Sequence, residues 1–340
     1  MRRMGCLLLA LVMSAALLTG CAPEEHEEII FAMDTVMQLQ AWGDGAEDAL
    51  TRAVQRINEL DRTLSVVNEN SDIWAINHGQ GAVEVSPDTL HLVELGLELW
   101  RDTGGALNIA MYPVVRAWGF TTGEYRVVPE PERAALLEHT DLGQLELDEA
   151  AGTVTLPEGM ELDLGSLGKG YAGDQVMDIL RESGVTSAIV NLGGNVQALG
   201  SQSDGSPWRV GIQDPEDESA YLAVLEISDL AVVTSGGYQR YFEEDGQTYW
   251  HIMDPATGAP ADSGLISATA VGASGTLCDG LSTALFVMGA DAAADFWRGR
   301  EDFEFVLVDQ AGTIWVSEGL EDSFSLAQGY EDRTVEVVRR

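Results

Sequence analysis

Alternating apolar positions from Ile30 to Trp42 predict a first strand, and Ala49, Val54, Ile57, Leu60 and Leu64 then recur at helical spacing. A second helix starts at Ser86-Pro87, where a proline at the first helical position costs no hydrogen bond. It carries Leu90, Val93, Leu97 and Trp100 as a buried stripe and stops at Gly104-Gly105. From there to about Phe120 the chain reads as irregular or short-helical. Leu145 to Leu147 and Thr153 to Leu156 flank a polar, glycine-containing turn and predict a hairpin. Val176, Ile179 and Leu180 share one face of a helix expected over Lys169 to Ser183, followed by a short strand, Ser187 to Asn191, that ends at Gly193-Gly194. Beyond it the pattern is strand-rich: strands near 208–213, 221–228, 231–235, 247–253 and 265–273, helices near 276–288 and 291–298, and a last hairpin over 303–317.

Helices interspersed among mostly hairpin-connected strands predict an α+β fold, with antiparallel sheets packed against helices. No repeat, low-complexity linker or sharp break in composition divides the chain, so two intimately joined lobes are expected over residues 30–330, with 331–340 as a C-terminal tail.

The N-terminus departs from this pattern. Met1-Arg2-Arg3 is a basic head, Leu7 to Leu18 is an apolar run too short to span a bilayer, and Leu18-Thr19-Gly20-Cys21 follows at once. The segment resembles a bacterial lipoprotein signal, with residues 1–20 removed and Cys21 lipidated; an ordinary cleaved signal is the alternative. Residues 21–29, which include Glu24-Glu25-His26-Glu27-Glu28, then read as an acidic tether. The protein is expected to be extracytoplasmic and held at the membrane by lipid alone. Cys278 is then left without a disulfide partner.

Charge narrows the function. Asp and Glu outnumber Lys and Arg by 56 to 18, a net charge of −38, which disfavours a nucleic-acid partner. Seventeen of the 18 basic residues are arginine; Lys169 is the single lysine. It lies in Asp163-Leu164-Gly165-Ser166-Leu167-Gly168-Lys169-Gly170, a glycine-rich run ahead of a helix. Backbone amides and a compact ammonium there suit an anion, although the spacing is not that of a Walker loop. A plain strand-to-helix turn explains the run equally well. In Cys278-Asp279-Gly280-Leu281-Ser282-Thr283, Asp279 and Thr283 sit four apart on one helix face, a hard oxygen pair that suits Mg²⁺ and equally an acid near a helix start. Cys278 reads as packing. His251, in Trp250-His251-Ile252-Met253-Asp254-Pro255, is a candidate proton acceptor near neutral pH. Thr234-Ser235-Gly236-Gly237 and Asn191 to Asn195 add small and amide residues that let a ligand approach the backbone.

Taken in order, these segments resemble the ApbE family of flavin transferases, from about Met33 to Met288. The resemblance rests on Met33-Asp34-Thr35, Asp61 through Ser71 leading to Ile76-Asn77, Gly104 through Asn108, Asp163 through Gly170 and Asn191 through Asn195. It continues through Thr234-Ser235-Gly236, His251 through Pro255 with Thr257-Gly258, and Asp279 through Thr283. It implies a T-fold-like architecture and transfer of FMN from FAD to a Thr or Ser hydroxyl of a target protein, releasing AMP. It further implies that Asp163 and Lys169 contact FAD, that Met33, Leu107, Asn108 and Ile252 help line its site, and that Asp279, Thr283 and the Ser166 carbonyl hold Mg²⁺ with Ser282 close by. His251 or Asp254 is the candidate proton relay. The targets implied are flavin-carrying subunits of membrane electron-transfer complexes, or secreted proteins with FMN-binding modules. Family members often carry Met-Gly-Thr where Met33-Asp34-Thr35 stands, an aromatic at Val67, and Phe-Asp-Pro at Leu107-Asn108-Ile109. The rival readings are an FAD pyrophosphatase and a non-catalytic flavin- or solute-binding lipoprotein.

Overall fold

The structure, a computed structural model, describes residues 23–340; Cys21 and the signal segment lie outside the described residues. The chain begins with β1 (Glu25–Ala32) and β2 (Thr35–Trp42), then α1 (Ala46–Leu64), α2 (Asp72–His78), β3 (Val83–Glu84), α3 (Pro87–Asp102), α4 (Tyr112–Ala117) and α5 (Glu130–Leu137). Next come β4 (Glu146–Asp148), β5 (Thr153–Thr155), α6 (Gly165–Glu182), β6 (Ser187–Leu192), β7 (Asn195–Gly200), β8 (Trp208–Asp214), β9 (Asp217–Ile227) and β10 (Ala231–Gly236). The last part holds β11 (Tyr241–Glu244), β12 (Gln247–Trp250), β13 (Leu265–Gly272), α7 (Gly275–Met288), α8 (Ala290–Arg298), β14 (Phe303–Asp309), β15 (Ile314–Ser317), β16 (Phe324–Leu326) and β17 (Val335–Val338).

Nine strands form one sheet in the order β1-β2-β6-β7-β10-β13-β14-β15-β17, antiparallel except for the parallel pair β15/β17. One face packs on α1, α6 and α7 through the main core, in which Met37, Leu39, Ile57, Leu60, Val176, Leu180 and Leu281 are fully or nearly fully buried. A small sheet, β16-β9-β8, covers part of the other face over a second core of Val210, Ile212, Leu225, Val232 and Val306. A third cluster joins α4 to the β11/β12 hairpin around Trp118, Phe120 and Met253. The α+β expectation therefore holds, and the lobes share one sheet.

Local signals placed several elements well. Ser86 caps α3 by accepting from the Thr89 N–H with Pro87 at the first position, and Ser274 caps α7 from Leu277, contacts each worth about 1 kcal/mol. Three expectations need correction. The first strand is two, because Met33 and Asp34 take left-handed φ values of 48° and 59° and turn the chain back on itself. Such a two-residue turn normally advertises itself with Asn-Gly or Gly, and neither is present. Residues 25–29 are not a free tether but part of β1, the edge strand of the main sheet. Likewise the expected tail contains β17, which extends the other edge with Val338 buried.

Candidate active site

A cleft of about 550 Å³ opens at the end of the main sheet where the β1/β2 and β6/β7 turns stand side by side. That lies within the usual size range of small-molecule and cofactor clefts. Both turns have two central residues at positive φ, Met33-Asp34 and Gly193-Gly194. A Cβ on Gly193 would lie 2.3 Å from Thr35 Oγ1, so glycine is required where the turns touch. Met33 has no such freedom; its N–H donates to Asp61 Oδ1 of α1 at 2.9 Å, which anchors the strained residue at the cleft.

The cleft brings together Met33, Leu107, Asn108, Asp163, Ser166, Lys169, His251, Ile252, Asp279 and Thr283, contributed by segments spread over 250 positions of sequence. Asp254 is not among them: its Oδ1 accepts from the Ala256 N–H and its Oδ2 from the Thr257 hydroxyl, so the carboxylate shapes a turn. Ser282 is wholly buried behind the wall, with its hydroxyl on the Asp279 carbonyl (2.9 Å) and beside Ser235 Oγ (2.8 Å), and Ser235 in turn meets Thr283 Oγ1 at 3.2 Å. It supports Thr283 rather than facing the cleft. Asn108 lines the cleft, yet its amide is committed to the fold: Nδ2 donates to the Thr140 carbonyl and Oδ1 accepts from Ala110.

The glycine-rich run is helical from Gly165 onward, not a turn. Gly170 serves packing: a Cβ there would lie 2.2 Å from the Gly275 carbonyl oxygen at the start of α7. That close approach carries Asp279 to α6, where its Oδ2 accepts from the Gly170 N–H at 2.8 Å. Gly170 is the residue whose amide would ordinarily bond the Ser166 carbonyl four positions back, so the carboxylate competes with that carbonyl for one donor. Burial pushes the Asp279 carboxyl above the usual carboxylate range, against the opposing pull of Lys169. Asp163 is likewise raised by burial, while its Oδ1 accepts from the Gly165 N–H (2.8 Å) and Arg240 and Lys169 pull the other way. None of the ion pairs among the described residues involves Lys169, whose charge faces Asp163 and Asp279. Among the described residues no group of three or more His, Cys, Asp or Glu forms a metal cluster. One carboxylate, one hydroxyl and a helical carbonyl are hard oxygen donors, which fits Mg²⁺ with water and phosphate completing its shell.

His251 follows β12 directly, its N–H and Nδ1 both against the Arg240 carbonyl at 3.1 and 3.2 Å. Burial pushes its pKa down to about 4, so at neutral pH the ring is uncharged. The unfolded chain, with an ordinary histidine near 6.5, binds the extra proton between pH 6.5 and 4, so His251 makes stability fall as pH drops through that window. Asp163 and Asp279, raised rather than lowered, act in the opposite sense as pH rises. The His251 effect is therefore isolated by difference: thermal melts of wild type and His251→Gln at pH 7, 5.5 and 4.5 should show wild type losing ground to the variant as pH falls. A constant gap would refute the assignment.

Sequence reasoning missed Arg240, whose guanidinium donates to the Phe120 carbonyl at 2.6 Å and which lines the cleft near Asp163 and His251. One arginine among 17 carried no local signal. Cys278 is fully buried, and burial pushes its thiol far up, in keeping with a packing role.

A mixed α+β scaffold thus brings an acid, a lysine and a set of hard oxygen donors together in one cleft, an arrangement that suits an anionic ligand. Comparison narrows this further: the ApbE family model matches residues 33–307, and the chain belongs to the ApbE family. The FAD:protein FMN transferase of Klebsiella pneumoniae is 35% identical over 290 residues, covering 84% of this chain and 90% of that protein. The crystal structure of the ApbE protein of Thermotoga maritima superposes with a TM-score of 0.83 at 30% identity, over 88% of this chain and 99% of the other. A variant of the flavin transferase ApbE from Vibrio cholerae gives a TM-score of 0.78 at 28% identity, again over 88% and 99%.

Proposed function

We propose that this protein is an FAD:protein FMN transferase that moves FMN from FAD to a Ser or Thr hydroxyl of an extracytoplasmic target, with Mg²⁺ as cofactor and a lipid anchor at Cys21. The carrying observation is the meeting of Asp163, Lys169, Asp279 and Thr283 in one cleft of a chain whose relatives bear that activity's name. The target oxygen forms a bond to the FMN phosphorus as the diphosphate bond breaks, AMP departs with the bridging oxygen, and the hydroxyl proton leaves to a base. Lys169 places its charge against the phosphates. His251 lines the cleft with an uncharged ring, but burial lowers its pKa to about 4 and makes it a weaker base than the expected acceptor near neutral pH, while Asp254 closes its own turn. Bound Mg²⁺, held by Asp279, Thr283 and the Ser166 carbonyl, would supply Lewis-acid stabilisation of phosphoryl oxygens. The rest is positioning, which suffices for phosphoryl-type transfer.

The test is to incubate the purified protein with FAD, Mg²⁺ and an FMN-binding acceptor domain, then read flavin fluorescence on a denaturing gel. A fluorescent acceptor band that disappears with EDTA is the expected result. FMN and AMP released with no band would make the protein a hydrolase, and unchanged FAD would make it a binding protein.

A further inference from the structure

Three hydroxyls from two elements meet behind the hard oxygen donors of the cleft. Ser235, on β10, places its Oγ 2.8 Å from Ser282 Oγ and 3.2 Å from Thr283 Oγ1, both on α7. Both helix hydroxyls also reach back to the Asp279 carbonyl, Ser282 at 2.9 Å and Thr283 at 3.4 Å. A helical Ser or Thr commonly bonds a carbonyl of its own preceding turn. What departs from that habit is the third hydroxyl, brought in by a strand 48 positions away. Each hydroxyl has one proton to give and the carbonyl has none, which fixes the direction of the chain. Ser282 gives its proton to the carbonyl, so between Ser282 and Ser235 the donor is Ser235. Having spent its one proton there, Ser235 can only accept from Thr283. The Thr283 proton therefore turns inward, to Ser235 or to the Asp279 carbonyl, and neither serine takes up one of its lone pairs. Thr283 and Ser235 line the cleft, whereas Ser282 is wholly buried. A hydroxyl that serves a cation must present a lone pair and keep its proton away, and this chain imposes that orientation.

We propose that Ser235 and Ser282 are positioning residues that act through Thr283, forming a directional relay to the Asp279 carbonyl that holds Thr283 Oγ1 with its lone pairs free for a divalent cation. This rests on the Mg²⁺-dependent function proposed above. The relay makes an uncommon demand of Ser282, which does not face the cleft. Ser282→Ala leaves Ser235 no hydroxyl to donate to except Thr283, which reverses the chain and occupies a lone pair that the cation needs. The test uses Ser282→Ala, Ser235→Ala and the double variant. Mn²⁺ is titrated into FAD-loaded protein and its free concentration read by electron paramagnetic resonance against FAD alone, beside the Kd for FAD without metal and the ligand-free Tm. Ser282→Ala is expected to raise the Mn²⁺ Kd about tenfold or more, and Ser235→Ala several-fold, because Thr283 then keeps only the long bond to the carbonyl. The double variant should bind Mn²⁺ no more weakly than Ser282→Ala, since no serine remains to donate to Thr283. Metal-free FAD affinity should stay at the wild-type value throughout. Losses that multiply in the double variant would make the serines independent packing groups and overturn the relay. Unchanged Mn²⁺ affinity in both single variants overturns it as well, and weaker metal-free FAD binding in Ser235→Ala would assign that hydroxyl to the nucleotide instead. Wild-type protein that takes up no Mn²⁺ beyond the FAD blank would sink the metal-dependent function itself; wild-type uptake with unaffected variants sinks only the relay.

Discussion

Asp279→Asn is expected to reduce flavin transfer by on the order of 100-fold or more while the ligand-free protein melts at or above the wild-type temperature. The two effects separate because the carboxylate's charge and its shape do different jobs. Its shape accepts the Gly170 N–H, and an Asn Oδ1 accepts the same bond. Its charge is 5% exposed and disfavoured by burial. A carboxyl whose folded pKa is raised contributes stability that is full below its unfolded pKa and lost as pH rises through the folded one, so at neutral pH the ionised group opposes folding. The amide removes that cost, and with it the ligand for a divalent cation. Transfer rates with and without EDTA, beside melts of the ligand-free variant, decide the matter. Full EDTA-sensitive activity would remove Asp279 from the metal site, and a Tm loss of several degrees would make its role structural.

Gly170→Ala should cost roughly 3 kcal/mol or more and most of the activity, although it sits within a helix where alanine is the better former. The new Cβ would meet three backbone atoms at the start of α7: Gly275 O at 2.2 Å, Gly275 C at 2.6 Å and Thr276 Cα at 2.7 Å. Backbone cannot rotate aside as a side chain can, so α6 and α7 must part, which displaces Lys169 from Asp279 and Thr283. Gly168→Ala, two residues earlier in the same helix, is the control: the nearest atom to its Cβ is Leu64 Cδ1 at 3.8 Å, an ordinary contact. Gly168→Ala should therefore melt at or above wild type through the gain in helix propensity. Equal melting temperatures for the two variants would refute the close-packing account of the glycine run.

The same run shows what local reading can and cannot reach. A glycine-rich stretch beside a lysine reads as an anion-binding turn because flexibility is the property visible in sequence. The structure makes it helix, and the missing Cβ of Gly170 is what lets α7, more than 100 residues away, pack against it. Ser282 and Asp254 fail to face the cleft for a similar reason: one points to Ser235 and the other closes its own turn, and neither choice is encoded in spacing. Arg240 enters the site through a loop contact with Phe120 that no period reports.

By itself the sequence determined the α+β class, the N-cap of α3, the four-residue spacing that puts Asp279 and Thr283 on one face, and the lone Lys169. These are local properties, set by helical and strand periods, capping chemistry and composition, and they survive any arrangement of the elements in space. Tertiary structure alone decided that β1 begins within the acidic segment, that Met33 is held in a left-handed turn by Asp61, and that ten candidate residues share one cleft while Asp254 and Ser282 do not. Those outcomes depend on antiparallel pairing and on the closest approach of α6 to α7, contacts between residues distant in sequence whose energy appears only once the core has closed.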